Sequence, residues 1–122
     1  MSASAVSANN VIKQLPDLNK RSRVAKLFAK HFKVPEQIEF LKANPCCIAT
    51  GTPNRLLKLI DTTALSLEGL QLLVVDVHRD LKQRTILDLP ETMADFWQLF
   101  RDQVQQRAAQ GKTKIALLDM DL

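Results

Sequence analysis

Glycine is scarce in this 122-residue sequence: Gly51, Gly69 and Gly111 are the whole complement, and no two lie near each other. That excludes a glycine-rich loop that cradles phosphates, and no GxxxxGK[ST] run occurs. Cysteine is scarcer still. Cys46 and Cys47 are adjacent, and neighbours on a strand point to opposite faces, so the two alone neither form a zinc site nor staple distant loops. Such usage suits a reducing interior, cytosol or nucleus. No apolar run approaches the ~20 residues that a bilayer-spanning helix needs. The start, Met1-Ser2-Ala3-Ser4-Ala5, lacks the basic-then-apolar pattern of a secretory signal. The two histidines, His31 and His78, have no serine or cysteine placed clearly beside them, which is weak ground for nucleophilic catalysis.

What is present is ordinary globular material. Apolar residues make up 46% and charged residues 25%, so the chain has enough apolar surface for one small core and no room for two full domains. The net charge of +4 is local. Lys20, Arg21, Arg23, Lys26, Lys30 and Lys33 fall in residues 20–33 with no acid among them, so that window carries +6 and the rest of the chain sums to −2. A basic block on a nearly neutral body fits an anionic partner such as nucleic acid, and equally a solvated face with a turn.

Periodicity gives the elements. Ala5, Ala8, Val11, Ile12 and Leu15 predict a helix over 4–15, ended by Pro16, with a loop over 16–19. A short strand is expected over 23–29. Pro35 and Glu36 open a helix whose apolar side is Ile38, Phe40 and Leu41, and Asn44-Pro45 stops it. Residues 46–50 read as a strand buried on both faces. Thr52 as N-cap and Pro53 as first helical residue start a helix that runs to about Asp61. Residues 66–70 form a connection. Leu72-Leu73-Val74-Val75-Asp76 is the clearest strand, and residues 77–90 are polar and hard to place. Pro90-Glu91 opens a long helix with Met93, Phe96, Trp97, Phe100, Val104 and Ala108 as its buried stripe, stopped by Gly111. A last strand covers 114–118. Helices alternate with strands, which predicts an α/β domain with a mostly parallel sheet of about four strands and helices on both faces. Ligands then meet the loops at the carboxyl ends of strands, here 50–55 and 76–80.

In the first of these loops, Thr50-Gly51-Thr52-Pro53-Asn54-Arg55, Gly51 allows a sharp turn. The helix start offers free N–H groups, and Arg55 adds a guanidinium fork for phosphate. An ordinary strand-to-helix turn with a cap explains the same residues. In the second loop, Asp76 ends an apolar strand, as magnesium-holding acids of phosphate-binding domains do, but Val77 stands where a second acid would follow. A structural acid is the plainer reading.

The order of these residues resembles the amino-terminal RecA-like domain of DEAD-box RNA helicases. The stretch EQIEFLKANPCCIATGTPNRLLKLI brings Gln37 and Leu41 ahead of a strand, then GTPNR where helicases have GTPGR. An apolar strand ending in Asp76 follows, where helicases have Asp-Glu-Ala-Asp. The resemblance is closer to the helicase-like Cms family, subunits of the early small-subunit pre-ribosome. It is carried by KLFAKHFKVPEQ, by VVDVHRDLKQRTILDLPE and by Leu89-Pro90-Glu91, and it covers roughly residues 5–118.

This resemblance implies a single truncated RecA-like domain over 1–122 that lacks the phosphate-loop unit. Leu118-Asp119-Met120-Asp121 stands in place of Ser-Ala-Thr. It implies no enzyme activity, no nucleotide, metal or other cofactor, and a nuclear, nucleolar place. The partners would be pre-ribosomal RNA and assembly factors, with no membrane. Thr52 and Arg55 would take the helicase grip on the RNA backbone, with Asn54 in place of the glycine. Lys20, Arg21, Arg23, Lys26, Lys30 and Lys33 would supply further RNA contacts, and Asp76 would be a degenerate Walker B acid. The alternative is a protein-interaction domain whose basic face docks on acidic partners without touching RNA. An active ATPase is disfavoured by the missing motifs, and an unrelated flavodoxin-like domain by the lack of an acidic pair. The strand that normally lies beside Asp76 is not in the sequence, so an exposed apolar strand edge is expected. Such an edge either pairs with a partner or leaves the chain marginally stable.

Overall fold

A computed structural model describes residues 1–14, 17, 24–29, 32–44 and 46–119. Helix α1 spans Ala5–Gln14, and strand β1 spans Val24–Leu27. Helix α2 covers Val34–Ala43, strand β2 Ile48–Gly51 and helix α3 Pro53–Asp61. Strand β3 is Leu72–Asp76, helix α4 Pro90–Leu99, helix α5 Gln105–Ala109 and strand β4 Lys114–Leu118. Alternating helices and strands are thus observed, and both strand pairings are parallel.

The sheet differs from expectation. Instead of one sheet of about four strands, β1 pairs with β2 and β3 with β4, as two separate two-stranded sheets. Val24 faces Ile48 and Leu27 faces Gly51 in the first; Leu72 faces Lys114 and Asp76 faces Leu118 in the second. The physical reason is visible between them. Residues 1 and 2 bridge β2 to β3. The Met1 ammonium donates to the Val74 carbonyl at 2.8 Å, Asp76 N–H donates to the Met1 carbonyl at 2.9 Å, and Ser2 N–H donates to the Gly51 carbonyl at 2.9 Å. Two residues make a bridge, not a strand.

Helices cover both faces of the first pair. Ala25 and Leu27 pack with Leu59 of α3 and with Val34, Ile38 and Leu41 of α2. On the other face, Thr50 Oγ1 donates to the Ala8 carbonyl of α1 at 3.5 Å. Helix α3 joins the two halves, because Leu59 belongs to this cluster while Leu57 packs with Leu99 and Val104. Val75 of β3 packs with Phe96 of α4 and with Ile86. Full burial of Ile86 anchors the polar stretch that sequence pattern could not place. Around it, Asp80 accepts from Lys82 N–H at 2.9 Å, from Arg84 N–H at 2.8 Å and from Arg84 Nε at 2.9 Å.

Some local expectations need correction. Cys46 and Cys47 precede β2 instead of lying in it; Cys46 is half-buried and Cys47 exposed. Helix α2, by contrast, ends where expected: Asn44 caps it with extended backbone (φ −130°, ψ 103°), as a residue before proline prefers. The long helix buries Phe96 and Val104 of the expected stripe but not Met93 or Trp97. Thr92, Phe96 and Leu99 point inward, while Met93 and Trp97 are 42% and 41% exposed. A π-helical turn over Phe100–Val104 adds one residue before α5. Continuing the i, i+4, i+7 face without it would turn Gln103 inward; the extra residue brings Val104 there instead, fully buried.

Candidate nucleic-acid interface

The loop between β2 and α3 has the place predicted for it and a different internal chemistry. Thr52 is the N-cap by position, with extended backbone (φ −99°, ψ 152°) and no capping bond from its side chain. Its carbonyl accepts the first helical bond from Leu56 N–H at 3.1 Å. The Thr52 hydroxyl donates to Asn54 Oδ1 at 3.1 Å, and Arg55 N–H donates to the same oxygen at 2.7 Å. Asn54 therefore satisfies a helix-start N–H that a threonine hydroxyl ordinarily would. Pro53 at the first helical position is fully buried.

Arg55 is buried to 9% exposure. Its Nη1 donates to the Phe32 carbonyl and to Gln37 Oε1, each at 2.8 Å. Gln37, itself 3% exposed, donates through Nε2 to the carbonyls of Lys26 and Phe28, each at 3.0 Å. One glutamine and one arginine thus tie β1, the segment after it, α2 and α3 into a single polar network. Both residues stand out in the sequence, but their meeting across 18 positions leaves no periodic trace there.

In front of this network lies a groove of about 320 Å³, lined by Val24, Lys26, Leu27, Phe32, Glu36, Gln37 and Phe40. Lys26 is exposed on β1, and Lys33 is exposed just before α2. Phe32, 37% exposed, stands between them in sequence space and leans edge-on against Phe28 with ring centres 5.6 Å apart. Lys20, Arg21, Arg23 and Lys30 lie outside the described residues. Of the six basic residues, Lys26 and Lys33 lie among the described residues: Lys26 lines the groove together with Phe32, and Lys33 follows Phe32 in the chain. Phe32 sits inside the basic window, where nothing in the sequence pattern marks it as an exposed ring.

Asp76 is 5% exposed and accepts from His78 N–H at 3.0 Å. Val77 N–H is spent on the Leu118 carbonyl at 2.8 Å. The nearest new element is the Met1 ammonium. Burial between the strands lowers its pKa from 8.0 to about 6, and the Asp76 charge opposes that shift only in part. The unfolded chain therefore holds more protons between pH 6 and 8, so stability is full above pH 8 and falls as pH drops towards 6. Denaturant titrations at the two pH values should differ by about 2 kcal/mol, with the chain more stable at pH 8. Acetylating the amine should remove the difference; a difference that survives acetylation would place it on another group.

Comparison with known proteins adds identity to this geometry. Protein CMS1 of Chaetomium thermophilum is 42% identical over 121 residues, which is 97% of this chain and 48% of that protein. Protein CMSS1 of Danio rerio is 40% identical over 115 residues, 93% of this chain and 40% of that protein. Protein CMSS1 of Homo sapiens is 33% identical over 116 residues. The chain thus spans less than half the length of these curated relatives. A family model described as the U3-containing 90S pre-ribosomal complex subunit matches residues 1–118, and the chain belongs to that CMS1 family.

Proposed function

We propose that this chain is a non-catalytic, helicase-like module of ribosome biogenesis that contacts pre-ribosomal RNA in the nucleolus. The observation that carries the reading is the family match over residues 1–118, whose description names a pre-ribosomal subunit. Parallel βα order supports a RecA-like origin, with β2–α3 carrying GTPNR and β3 ending in Asp76. On this reading Lys26 and Lys33, with Lys20, Arg21, Arg23 and Lys30, make salt-sensitive phosphate contacts, and Phe32 offers a stacking face. Thr52 and Arg55 stand behind this face and hold the start of α3 and the Phe32–Lys33 backbone in position. Asp76 is a structural remnant of a metal-holding acid, and the module works without nucleotide.

Fluorescence anisotropy with a labelled single-stranded RNA across a salt series tests this. Micromolar binding that weakens steeply with salt is expected. Replacing Lys26 and Lys33 together by Glu should weaken it at least tenfold at low salt and flatten the salt slope by about 2. No binding at low salt, or an unchanged slope in the variant, would refute RNA contact by this face. Displacement of RNA by a short acidic peptide at matched charge would favour the second reading, docking on acidic assembly factors; the same lysines serve either partner.

A further inference from the structure

The groove beside Phe32 holds more chemistry than phosphate contact requires. Its walls are largely apolar, with the rings of Phe32 and Phe40 among them, and it carries the polar side chains of Lys26, Glu36 and Gln37. At about 320 Å³ it lies at the small end of ligand clefts, which run from about 300 to 1,000 Å³. One planar base suits such a space; a helix or a folded loop does not.

The three polar groups are not equivalent. Gln37 spends its Nε2 hydrogens on the Lys26 and Phe28 carbonyls, and its Oε1 accepts from Arg55. It has no donor left for a ligand. Glu36 is exposed, and its Oε2 takes one long bond, 3.3 Å, from Lys33 N–H. A carboxylate has about four acceptor sites and no hydrogen to give, so most of its capacity remains. Lys26, also exposed, has donors only. Beside an exposed ring, the groove thus asks a base for adjacent N–H donors that meet Glu36 and a neighbouring acceptor that meets Lys26.

Guanine alone among the four RNA bases answers this. Its Watson–Crick edge sets N1–H next to the N2 amine, with O6 beside them. Adenine and cytosine present one amine next to a bare ring nitrogen, and uracil presents one N–H between two carbonyls. Each of these sets a lone pair against the carboxylate. We propose that the groove is a pocket for a single unpaired guanine stacked on Phe32. Glu36 accepts from N1–H and the N2 amine, and Lys26 donates to O6. This rests on the RNA-contact reading above and adds a base preference, which phosphate contacts by themselves do not give.

Fluorescence anisotropy with four labelled uridine decamers tests it: one all uridine, and three with a single central guanosine, inosine or adenosine. The guanosine decamer should bind at least about fivefold tighter than the uridine or adenosine ones. Inosine, which lacks the N2 amine, should fall between. Glu36→Gln keeps a residue type that serves the first turn of a helix equally well. It should bring guanosine to within about twofold of adenosine without weakening the all-uridine decamer. Equal affinity of the unaltered chain for all four would overturn the pocket and leave phosphate contact standing. So would a guanosine preference that survives Glu36→Gln, even if all four affinities shift together. No binding of any decamer at low salt would remove the RNA-contact reading itself, and the pocket with it.

Discussion

Gly51→Ala is expected to cost at least about 3 kcal/mol, the upper part of the range for forcing a methyl into packed surroundings. A Cβ built on Gly51 would lie 2.3 Å from the Leu27 carbonyl oxygen and 3.0 Å from its carbon. Both are backbone atoms of the neighbouring strand, so no side-chain rotation relieves the clash; β1 and β2 must separate. Separation also loosens the two points at which Gly51 is tied, its pairing with Leu27 and its acceptance from Ser2 N–H. In a domain of this size the loss corresponds to a fall in melting temperature of roughly 10 °C or more. Gly69→Ala is the matched control, since nothing lies within 4 Å of a Cβ there. Equal melting of the two variants would mean that β1 and β2 do not approach this closely.

The same glycine shows where sequence reading reached and where it stopped. The sequence pattern marks Gly51 as a turn-former, yet it is the last residue of a strand and is needed for close approach instead of a special φ. The element order was legible because prolines stand at the first turns of α2, α3 and α4 and mark their starts. Apolar runs marked β2 and β3 for the same kind of local reason. What was not legible depends on contacts without a period. The bridge through Met1 and Ser2 involves two residues with no strand pattern of their own. The π turn depends on which of Gln103 and Val104 the core accepts. Ile86 is an isolated apolar residue in a polar stretch, and only the fold shows that it is a core residue. At the candidate site, sequence supplied Thr52, Arg55 and the lysines as types. It did not reveal that Arg55 points inward to Gln37.

That inward turn gives Arg55 the second large effect. Arg55→Ala removes two charge-assisted or buried hydrogen bonds from one nitrogen, each worth about 1.5–3 kcal/mol where a charged donor is involved. It also leaves Gln37 Oε1 and the Phe32 carbonyl to find other donors. A loss of about 3–4 kcal/mol is expected, less than the sum of the two bonds because water can reach the Phe32 side. Arg55→Lys should recover only part of it, since the shorter lysine does not place its ammonium where Nη1 meets both acceptors. A double-mutant cycle with Gln37→Ala separates this network from simple loss of packing. Gln37 holds the carbonyls of Lys26 and Phe28 as well as the arginine, so each single change already breaks part of what the other breaks. The double variant should therefore lose about 1–2 kcal/mol less than the two singles added together. Strict additivity would show that Arg55 acts alone. If coupling is found, weaker RNA binding by Arg55→Ala would be read through the displaced Phe32–Lys33 backbone, and Lys26→Glu, which leaves the network intact, becomes the cleaner probe of direct contact.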